Sequence, residues 1–464
     1  MRLILFTLLL VLPFFGESQT GISAEVNNAA ITNIIKDFVP EDGPGLAVQI
    51  MRGDNLLYVK GFGKANVEHD IPFTPSTVSD LGSVAKQFTA FAIALLADEG
   101  KLELDADIRM FFPDAPDYGE PVTVRHLIHH TSGLREIYSM KAMAGNPGSG
   151  ISQFEAQELL KHSEELNFEP GDRWLYCNTS YMLLADIIEQ VSDQSFEEFM
   201  QERIFGPLGM GHTYIMDVQG ETFPDRADSY REDEAYGWVQ VYDVSSAYGQ
   251  GGFYSSLHDL AKWVSNFRTR QVGSDAVHEL IRTPGVLNDG ESTGYGFGLF
   301  VEDWRGVPRL SHGGSSAGYR SYVAYFPDQE LMIITKGNWS GMNSAGIVNA
   351  LAEQLLGDAL EPPVVRERSR EVTEEEPYTF SGSLQKYEGR YYAPELDVYC
   401  EIVAEDGKLF IANRLFGKGV LEPVADHEFF GQGVGLLRFQ QKNNQVFEFR
   451  LDEGRVLNLR FDRL

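Results

Sequence analysis

Two residues with complementary chemistry stand three positions apart at the head of an apolar stretch. They are Ser83 and Lys86, and the apolar stretch contains Phe88, Phe91 and Ile93. A serine hydroxyl is a weak nucleophile at neutral pH and needs a neighbouring base to take its proton. Residues three apart on a helix share a face, so the Lys86 amine is expected within hydrogen-bond reach of the Ser83 hydroxyl. Burial would lower the pKa of that amine, so the spacing predicts a serine nucleophile with its own base.

The position of Ser83 at the predicted start of the helix adds a second contribution. The partial positive charge of a helix N-terminus stabilises an oxyanion that develops beside it. A helix-capping serine followed by a solvated lysine would give the same four-residue pattern. The choice between these two interpretations therefore depends on the rest of the chain.

A second cluster, Tyr176 and Asn178, stands before the helical pattern of Leu183, Leu184 and Ile187. The pattern predicts that both residues lie on a loop that precedes a helix, which is a rigid mount for chemical groups. A phenol there can relay protons, and a carboxamide can donate to and accept from a substrate amide. Asn178 as a simple helix cap is the alternative.

The third cluster is Leu310-Ser311-His312-Gly313-Gly314-Ser315. It is followed by two runs rich in β-branched and aromatic residues, 322–326 and 331–335, which predict adjacent strands joined by a turn. The glycines allow a ligand to approach the strand backbone closely, which leaves the Ser315 amide free to donate to an oxyanion. A surface histidine beside a glycine-rich turn is the alternative for His312.

In this order and at these separations, Ser-x-x-Lys, Tyr-x-Asn and His-x-Gly resemble the three signature elements of the penicillin-recognising serine hydrolases. The branch resembled most comprises class C β-lactamases, D-alanyl-D-alanine carboxypeptidases, D-aminopeptidases and related esterases. The resemblance covers roughly residues 28 to 356. Further phrases of the sequence agree with it, namely Pro44-Gly45-Leu46-Ala47-Val48, His129-His130-Thr131-Ser132-Gly133-Leu134, Gly251-Gly252-Phe253-Tyr254-Ser255-Ser256 and Tyr295-Gly296-Phe297-Gly298.

The resemblance implies a role for each motif residue. Ser83 would be the acylated nucleophile, Lys86 its base partner and Tyr176 the proton relay, which makes these three the expected catalytic residues. Substrate binding is expected from Asn178, His312, Gly314 and Ser315, with the backbone amides of Ser83 and Ser315 forming the oxyanion hole.

The sequence departs from the β-lactamase pattern at His312, where a lysine usually begins the third motif. Histidine is shorter than lysine and titrates near neutrality, so it would clamp a substrate carboxylate less dependably. We therefore expect an esterase or a D-amino-acid-specific peptidase rather than an efficient β-lactamase. The alternative from another functional class is a catalytically inactive binding or assembly protein on the same fold.

The ends and the charge of the 464-residue chain suggest an exported protein. Met1-Arg2, the apolar run from Leu3 to Phe15 and the following Gly16-Glu17-Ser18 predict a cleaved signal peptide at residues 1–18, and hence a periplasmic or secreted location without a stable membrane span. The 68 acidic and 38 basic residues give a formal charge of −30, which argues against nucleic-acid binding. The expected partner is a small-molecule or peptide substrate.

Cysteine and histidine contribute no separate chemistry by their spacing. Of the two cysteines, Cys177 is expected to face the core, and a bridge to Cys400 is not expected. The ten histidines show no metal-ligand spacing, so neither a metal nor another cofactor is predicted. His129 and His130 are expected to brace the loop that follows them.

The distribution of helical and strand patterns predicts an α/β (α+β) fold. Strand patterns at 48–59 with 62–67, and again at 323–335, predict an antiparallel sheet. Helices beginning near 83, 152, 180, 257 and 345 would flank it and form a helical subdomain, with the site in the cleft between them. This is the β-lactamase/transpeptidase-like architecture, expected over residues 25–360.

A change of composition predicts a second domain. Residues 361–376 are highly charged and interrupted by proline, which is typical of a linker. After them come short β-rich runs separated by glycine, asparagine and aspartate, which predict a small antiparallel barrel or sandwich over residues 377–464. This part resembles the lipocalin-like module of some D-aminopeptidases and esterases. Either it is passive or forms oligomers, or it caps the cleft and selects substrates.

Overall fold

The computed structural model describes residues 27–146, 150–242, 244–363, 378, 380–413 and 417–464. The predicted signal peptide at 1–18 and residues 364–376 of the predicted linker lie outside the described residues. Among those described, no helix is long and apolar enough to cross a membrane.

The N-terminal part of the chain is a mixture of helices and antiparallel strands. Its helices are α1 Asn28–Lys36, α2 Lys86–Asp98, α3 Val124–Ile128, α4 Ile137–Met143, α5 Gln153–His162, α6 Asn178–Ser192, α7 Phe196–Met200, α8 Gly206–Leu208, α9 Leu257–Thr269, α10 Asp275–Leu280 and α11 Ser344–Leu356. Its strands are β1 Leu46–Arg52, β2 Asn55–Phe62, β3 Lys64–Asn66, β4 Ile71–Pro72, β5 Ser79–Asp80, β6 Thr213–Ile215, β7 Ser229–Asp233, β8 Gly237–Val241, β9 Phe253–Ser255, β10 Phe300–Trp304, β11 Val307–Ser316, β12 Tyr319–Phe326 and β13 Leu331–Gly337.

The main sheet has six antiparallel strands in the order β10-β11-β12-β13-β1-β2. The first and the last strands of the N-terminal part meet in this sheet, since Val48 of β1 lies opposite Thr335 of β13. The predicted pairing of 48–59 with 62–67 is wrong, because the chain turns within the first run and β1 pairs with β2, Arg52 lying opposite Asn55. The segment after Phe62 leaves the sheet, and Asn66 pairs with Ile71 of β4. The expectation of an antiparallel sheet flanked by helices is confirmed.

The two faces of the sheet are covered by different helices. On one face Ile31 and Ile35 of α1 and Leu351 of α11 share a core with Val48 and Ile333 of the sheet. On the other face α2, α6 and α9 form the larger core, in which every residue of α2 from Lys86 to Leu96 is buried. A helix that is buried all round needs apolar side chains on every side, which explains the nearly continuous run Phe88 to Leu96.

The C-terminal part is a closed antiparallel barrel of eight strands in sequential order. They are β14 Gly389–Ala393, β15 Val398–Glu405, β16 Lys408–Asn413, β17 Gly417–Ala425, β18 Glu428–Gly431, β19 Gly435–Lys442, β20 Gln445–Glu453 and β21 Val456–Arg463. Aromatic side chains fill its interior, including the fully buried Tyr387, Tyr391, Phe429 and Phe449. The predicted C-terminal β-barrel is confirmed, and its interior is a packed core.

The barrel docks on the N-terminal part through a buried ion pair. The guanidinium of Arg135, which has no exposed surface, donates to both carboxylate oxygens of Glu395 at 2.8 and 3.0 Å. Two methionines of α4, Met140 and Met143, also belong to the hydrophobic core of the barrel. The two parts are therefore joined by an apolar contact and by a charged pair that water does not screen.

Candidate active site

The expected nucleophile stands on a tight turn in front of the buried helix. Residues Gly82–Ala85 form a single 3₁₀ turn, and α2 begins at Lys86. The Gly82 amide donates to the Asp80 carboxylate at 2.7 Å, which fixes the entry to this turn. Ser83 is partly exposed at the edge of a cleft of about 1040 Å³, whereas Lys86 behind it is fully buried.

Three oxygens surround the amine of Lys86. Its Nζ lies 3.3 Å from the Ser83 Oγ and donates to the Asn178 Oδ1 at 2.8 Å and to the Gln250 carbonyl at 2.7 Å. The amide oxygen and the carbonyl only accept, so they take both hydrogens of a neutral amine. The remaining lone pair of the nitrogen then faces the serine hydroxyl. This arrangement is the geometry of a general base.

The electrostatics of the site favour the neutral amine. Burial lowers the pKa of Lys86 well below its ordinary value, the Glu136 carboxylate opposes that change, and the Arg455 guanidinium adds to it. Tyr176 and Tyr181 place their ring faces 4.8 and 5.4 Å from the Lys86 Nζ. The expectation that Lys86 reaches Ser83 with a lowered pKa agrees with this geometry.

Tyr176 lies beside Ser83 and Lys86. Burial raises the pKa of its phenol, so the hydroxyl keeps its proton, and the nearby Ser83 hydroxyl opposes that rise. Among the described residues the Tyr176 hydroxyl has no partner at hydrogen-bond geometry, which leaves it available to a ligand. The ring is held from behind by His130, whose own ring lies 4.2 Å away between centroids. His130 in turn accepts a hydrogen bond from the Cys177 amide at 3.1 Å.

Asn178 is the first residue of α6 rather than a loop residue, with Cys177 as the preceding cap. The expectation that Asn178 lies on the loop is therefore wrong, whereas Tyr176 does precede the helix. The Asn178 carboxamide accepts from Lys86 and donates to the Glu136 Oε1 at 2.8 Å. One hydrogen of its amide nitrogen remains for a ligand. The contact of Asn178 with Lys86 is therefore in place, and substrate binding by Asn178 stays a prediction.

His312 lies in the cleft and is almost fully buried, so the alternative of a surface histidine is wrong. Burial and the charge of Lys86 lower the pKa of its ring to about 3, and a hydrogen bond to the Gly313 carbonyl opposes them. The Nδ1 donates to that carbonyl at 2.6 Å, which assigns the tautomer and leaves the Nε2 to accept from the Tyr295 hydroxyl at 3.1 Å. The ring is therefore neutral near pH 7, and the expectation that His312 titrates near neutrality is wrong.

Two glycines bring the third motif against the nucleophile turn. A Cβ on Gly82, whose φ is +51°, would lie 2.5 Å from the Ser315 nitrogen, and a Cβ on Gly314 would lie 1.9 Å from the Leu81 carbonyl oxygen. Only glycine permits both approaches. The structure thus places the Ser83 turn and strand β11 in contact, with Gly314 and Ser315 lining the cleft. Their role as an oxyanion hole with the Ser83 amide stays a prediction.

Four groups at the site escaped the sequence motifs. They are the Gln250 carbonyl, Glu136, Arg455 and Tyr295, of which Tyr295 stands in a matching phrase of the sequence but was given no role there. A backbone carbonyl carries no side-chain signal, and the other three are distant in sequence from the residues they contact.

Cys177 is buried as predicted, and neither it nor Cys400 forms a disulfide. His129 bonds to the Tyr295 carbonyl, and His130 accepts from the Cys177 amide. Neither partner belongs to the loop that the two histidines were expected to brace.

The fold and these residues define the class of serine hydrolases built on the β-lactamase and penicillin-binding-protein fold. Residues 31–357 match the Beta-lactamase family, and the chain belongs to this family. A D-aminopeptidase of Gluconobacter oxydans is 32% identical over 330 residues, which cover 70% of this chain and 61% of the relative. The chain therefore matches less than two thirds of the length of this curated relative.

Solved structures resemble the chain over different extents. The octameric penicillin-binding protein homologue from Pyrococcus abyssi has a TM-score of 0.65 and 28% identity, over 94% of this chain and 99% of that chain. A D-stereospecific amidohydrolase from Streptomyces sp. has a TM-score of 0.60 and 21% identity, over 70% of this chain and 98% of that chain. The second likeness shows the fold alone, and the first extends over the barrel as well.

Proposed function

We propose that the protein is a secreted serine hydrolase that cleaves amide or peptide bonds of D-amino-acid substrates, and related esters, through an acyl-enzyme on Ser83. The observation that carries the proposal is the Lys86 Nζ, 3.3 Å from the Ser83 Oγ with both hydrogens of a neutral amine bonded elsewhere. The D-aminopeptidase of Gluconobacter oxydans supports the choice of D-amino-acid substrates.

The proposed reaction has two halves. Lys86 takes the proton of Ser83 as the oxygen bonds to the scissile carbonyl carbon, and the amides of Ser83 and Ser315 stabilise the oxyanion. The C–N bond of an amide then breaks, and the proton passes to the leaving amine through the Tyr176 hydroxyl. In the second half, water attacks the acyl carbon and gives up its proton by the same groups. The bond to the Ser83 oxygen then breaks, which releases the acid and returns the proton to the serine.

Efficient β-lactam turnover ranks below this activity. The ring of His312 is neutral near pH 7 because burial and Lys86 lower its pKa to about 3, so it supplies no cation for a substrate carboxylate. Both of its nitrogens are also bonded, to Tyr295 and to the Gly313 carbonyl.

The decisive experiment is labelling of Ser83 by a fluorescent fluorophosphonate, located by peptide mass spectrometry. The wild type is expected to carry one adduct, on Ser83, and Ser83→Ala none, while Ser315→Ala serves as a folded control that retains the adduct. Ser83→Ala should also lose turnover of D-amino-acid anilides, p-nitrophenyl esters and nitrocefin. Turnover near the wild-type rate in that variant, or no labelling of the wild type, would refute the enzyme and favour an inactive binding protein.

Location and assembly are part of the proposal. The apolar run from Leu3 to Phe15 supports export, and N-terminal sequencing of the exported protein should show cleavage near Ser18. The octameric homologue from Pyrococcus abyssi, which matches across the barrel, supports an oligomer that uses the barrel. Light scattering of the full chain should then give a mass above that of a monomer.

A further inference from the structure

A residue of the barrel reaches into the catalytic cleft. Arg455 lies on the tight turn between β20 and β21 and is one of the residues that line the cleft. Its guanidinium carbon lies 4.8 Å from the centre of the Tyr176 ring, the residue beside the nucleophile. The barrel thus contributes a cation to a site whose other groups all come from the hydrolase part.

The backbone around Arg455 is fixed by the hydrolase part. The Asn167 side chain donates to the Arg455 carbonyl at 3.2 Å and accepts from the Leu457 amide at 2.8 Å. The buried Arg135, which pairs with Glu395, also donates to the Leu457 carbonyl at 2.5 Å. The backbone from Arg455 to Leu457 is therefore held by buried polar groups, and a binding residue needs such support for a constant position.

The charge of the cleft is opposite to that of the protein. The chain has a formal charge of −30, yet the charged residues that line the cleft in the described part of the chain are Lys141, Arg320 and Arg455. Lys141 is paired with Glu155, and Arg320 donates to the carbonyls of Ala317 and Tyr319.

Arg455 differs from the other two cations of the cleft. Within the described residues its guanidinium donates no hydrogen bond, and its carbon lies 4.8 Å from the centre of the Tyr176 ring. Arg455 is exposed and lines the cleft, so the N–H groups of its guanidinium are available to a ligand there. A guanidinium presents a planar fork that matches a carboxylate, and the Tyr176 ring beside it restricts where that fork can lie.

We propose that Arg455 is a specificity-determining residue that binds a carboxylate of the substrate next to the scissile bond. The proposal rests on the proposed function and names its substrate class, an amide or peptide with an anionic group on the side of the leaving amine. That side follows from Tyr176, which would pass the proton to the leaving amine and which Arg455 covers. Neighbouring α-carbons are about 3.8 Å apart, so one residue spans from Tyr176 to the guanidinium.

The test compares two substrates that differ in one charge, D-alanyl-glycine and D-alanyl-glycinamide. The wild type should show a kcat/KM about tenfold higher or more for the free acid, as a charge-assisted hydrogen bond implies. Arg455→Gln should remove this preference, mainly through a higher KM for the acid, whereas any change in rate that follows from the pKa of Lys86 falls on both substrates alike. Arg455→Lys should restore part of the preference, since the charge returns without the fork.

A matched control is available on the barrel surface. The Arg390 guanidinium stacks 4.3 Å from the Tyr399 ring, outside the cleft lining. Arg390→Gln removes the same kind of contact and should leave the preference unchanged. An equal loss on both substrates in Arg455→Gln, or a wild type that does not distinguish them, would overturn the inference and leave Arg455 a packing residue.

A binding measurement separates this inference from the proposed function. Calorimetry with the Ser83→Ala variant measures the affinity of the two peptides without turnover. Absence of a Ser83 adduct in the wild type refutes the proposed function, while tighter binding of the free acid in Ser83→Ala still supports the carboxylate site. A Ser83 adduct together with equal affinities refutes the carboxylate site alone.

Discussion

Two lysines with no exposed surface, Lys86 and Lys336, differ in their neighbours, and Lys86 alone of the two is proposed as a catalytic base. Lys336 on β13 donates to the carbonyls of Thr77 and Ser255, neither of which lines the cleft. Burial lowers its pKa to about 7, against the opposing charges of Asp80 and Asp259. Lys86 has the same burial and the same direction of pKa change, but the hydroxyl of Ser83 stands at its nitrogen and that serine borders the cleft.

The comparison shows that a buried lysine with a lowered pKa is not by itself a catalytic signal. Perturbed pKa values occur at structural as well as functional positions. The difference lies in which atom stands at the open side of the nitrogen. At Lys86 that atom is the hydroxyl oxygen of Ser83, the proposed nucleophile, which borders the cleft.

The strongest test replaces each lysine by methionine. Lys86→Met should lower kcat/KM on D-amino-acid anilides by about 10³-fold, because general base catalysis contributes about 10²- to 10⁴-fold. Lys336→Met should keep kcat/KM near the wild type but reduce the free energy of unfolding by about 2–4 kcal/mol, since two buried carbonyls lose their donor and two carboxylates lose a nearby cation. Steady-state kinetics and urea denaturation measure the two effects. Equal inactivation of two folded variants would contradict the distinction.

A smaller effect is expected when the neighbours that set the pKa of Lys86, Asn178 and Glu136, are replaced. Asn178→Asp places a carboxylate 2.8 Å from the amine and should raise its pKa, whereas Glu136→Gln removes a charge that raises it. Because the neutral amine is the base, activity rises with pH through the pKa of Lys86. The rising limb of kcat/KM should therefore move to higher pH in Asn178→Asp, with about 10- to 100-fold less activity at pH 7, and to lower pH in Glu136→Gln. Shifts in the same direction would argue against Lys86 as the titrating base.

The smallest effect is the pH dependence of stability that Lys336 causes. Between about pH 7 and pH 10.5 the unfolded lysine holds a proton that the folded one has lost, so the free energy of unfolding rises with pH in that window. Below that window both states are protonated and the contribution to the slope disappears. The difference in slope between wild type and Lys336→Met should approach about 1.4 kcal/mol per pH unit, measured by urea denaturation at pH 7, 8 and 9. A difference of zero would show that Lys336 stays charged in the fold.

Several features of the fold and the site follow from local patterns in the sequence. The three-residue spacing of Ser83 and Lys86 on one helical face predicts their contact, because helix geometry is the same wherever the helix lies. The strand patterns at 322–326 and 331–335 predict the pair β12–β13. The short β-rich runs after residue 377 predict a small antiparallel barrel or sandwich, and the structure has a barrel. The boundary at Asn178 and the fate of the segment after Phe62 were missed, since helix starts and strand ends depend on neighbours elsewhere in the chain.

The sequence by itself determined the elements and the local chemistry: a serine beside a lysine, a phenol before a helix and a glycine-rich strand. Only the tertiary structure decided the environment that tunes them. The second hydrogen-bond acceptor of Lys86 comes from Gln250, the partner of His312 from Tyr295, and a cation beside Tyr176 from Arg455 in another domain. Local spacing fixes contacts within one element, whereas desolvation and through-space charge depend on side chains that only the packed chain brings together.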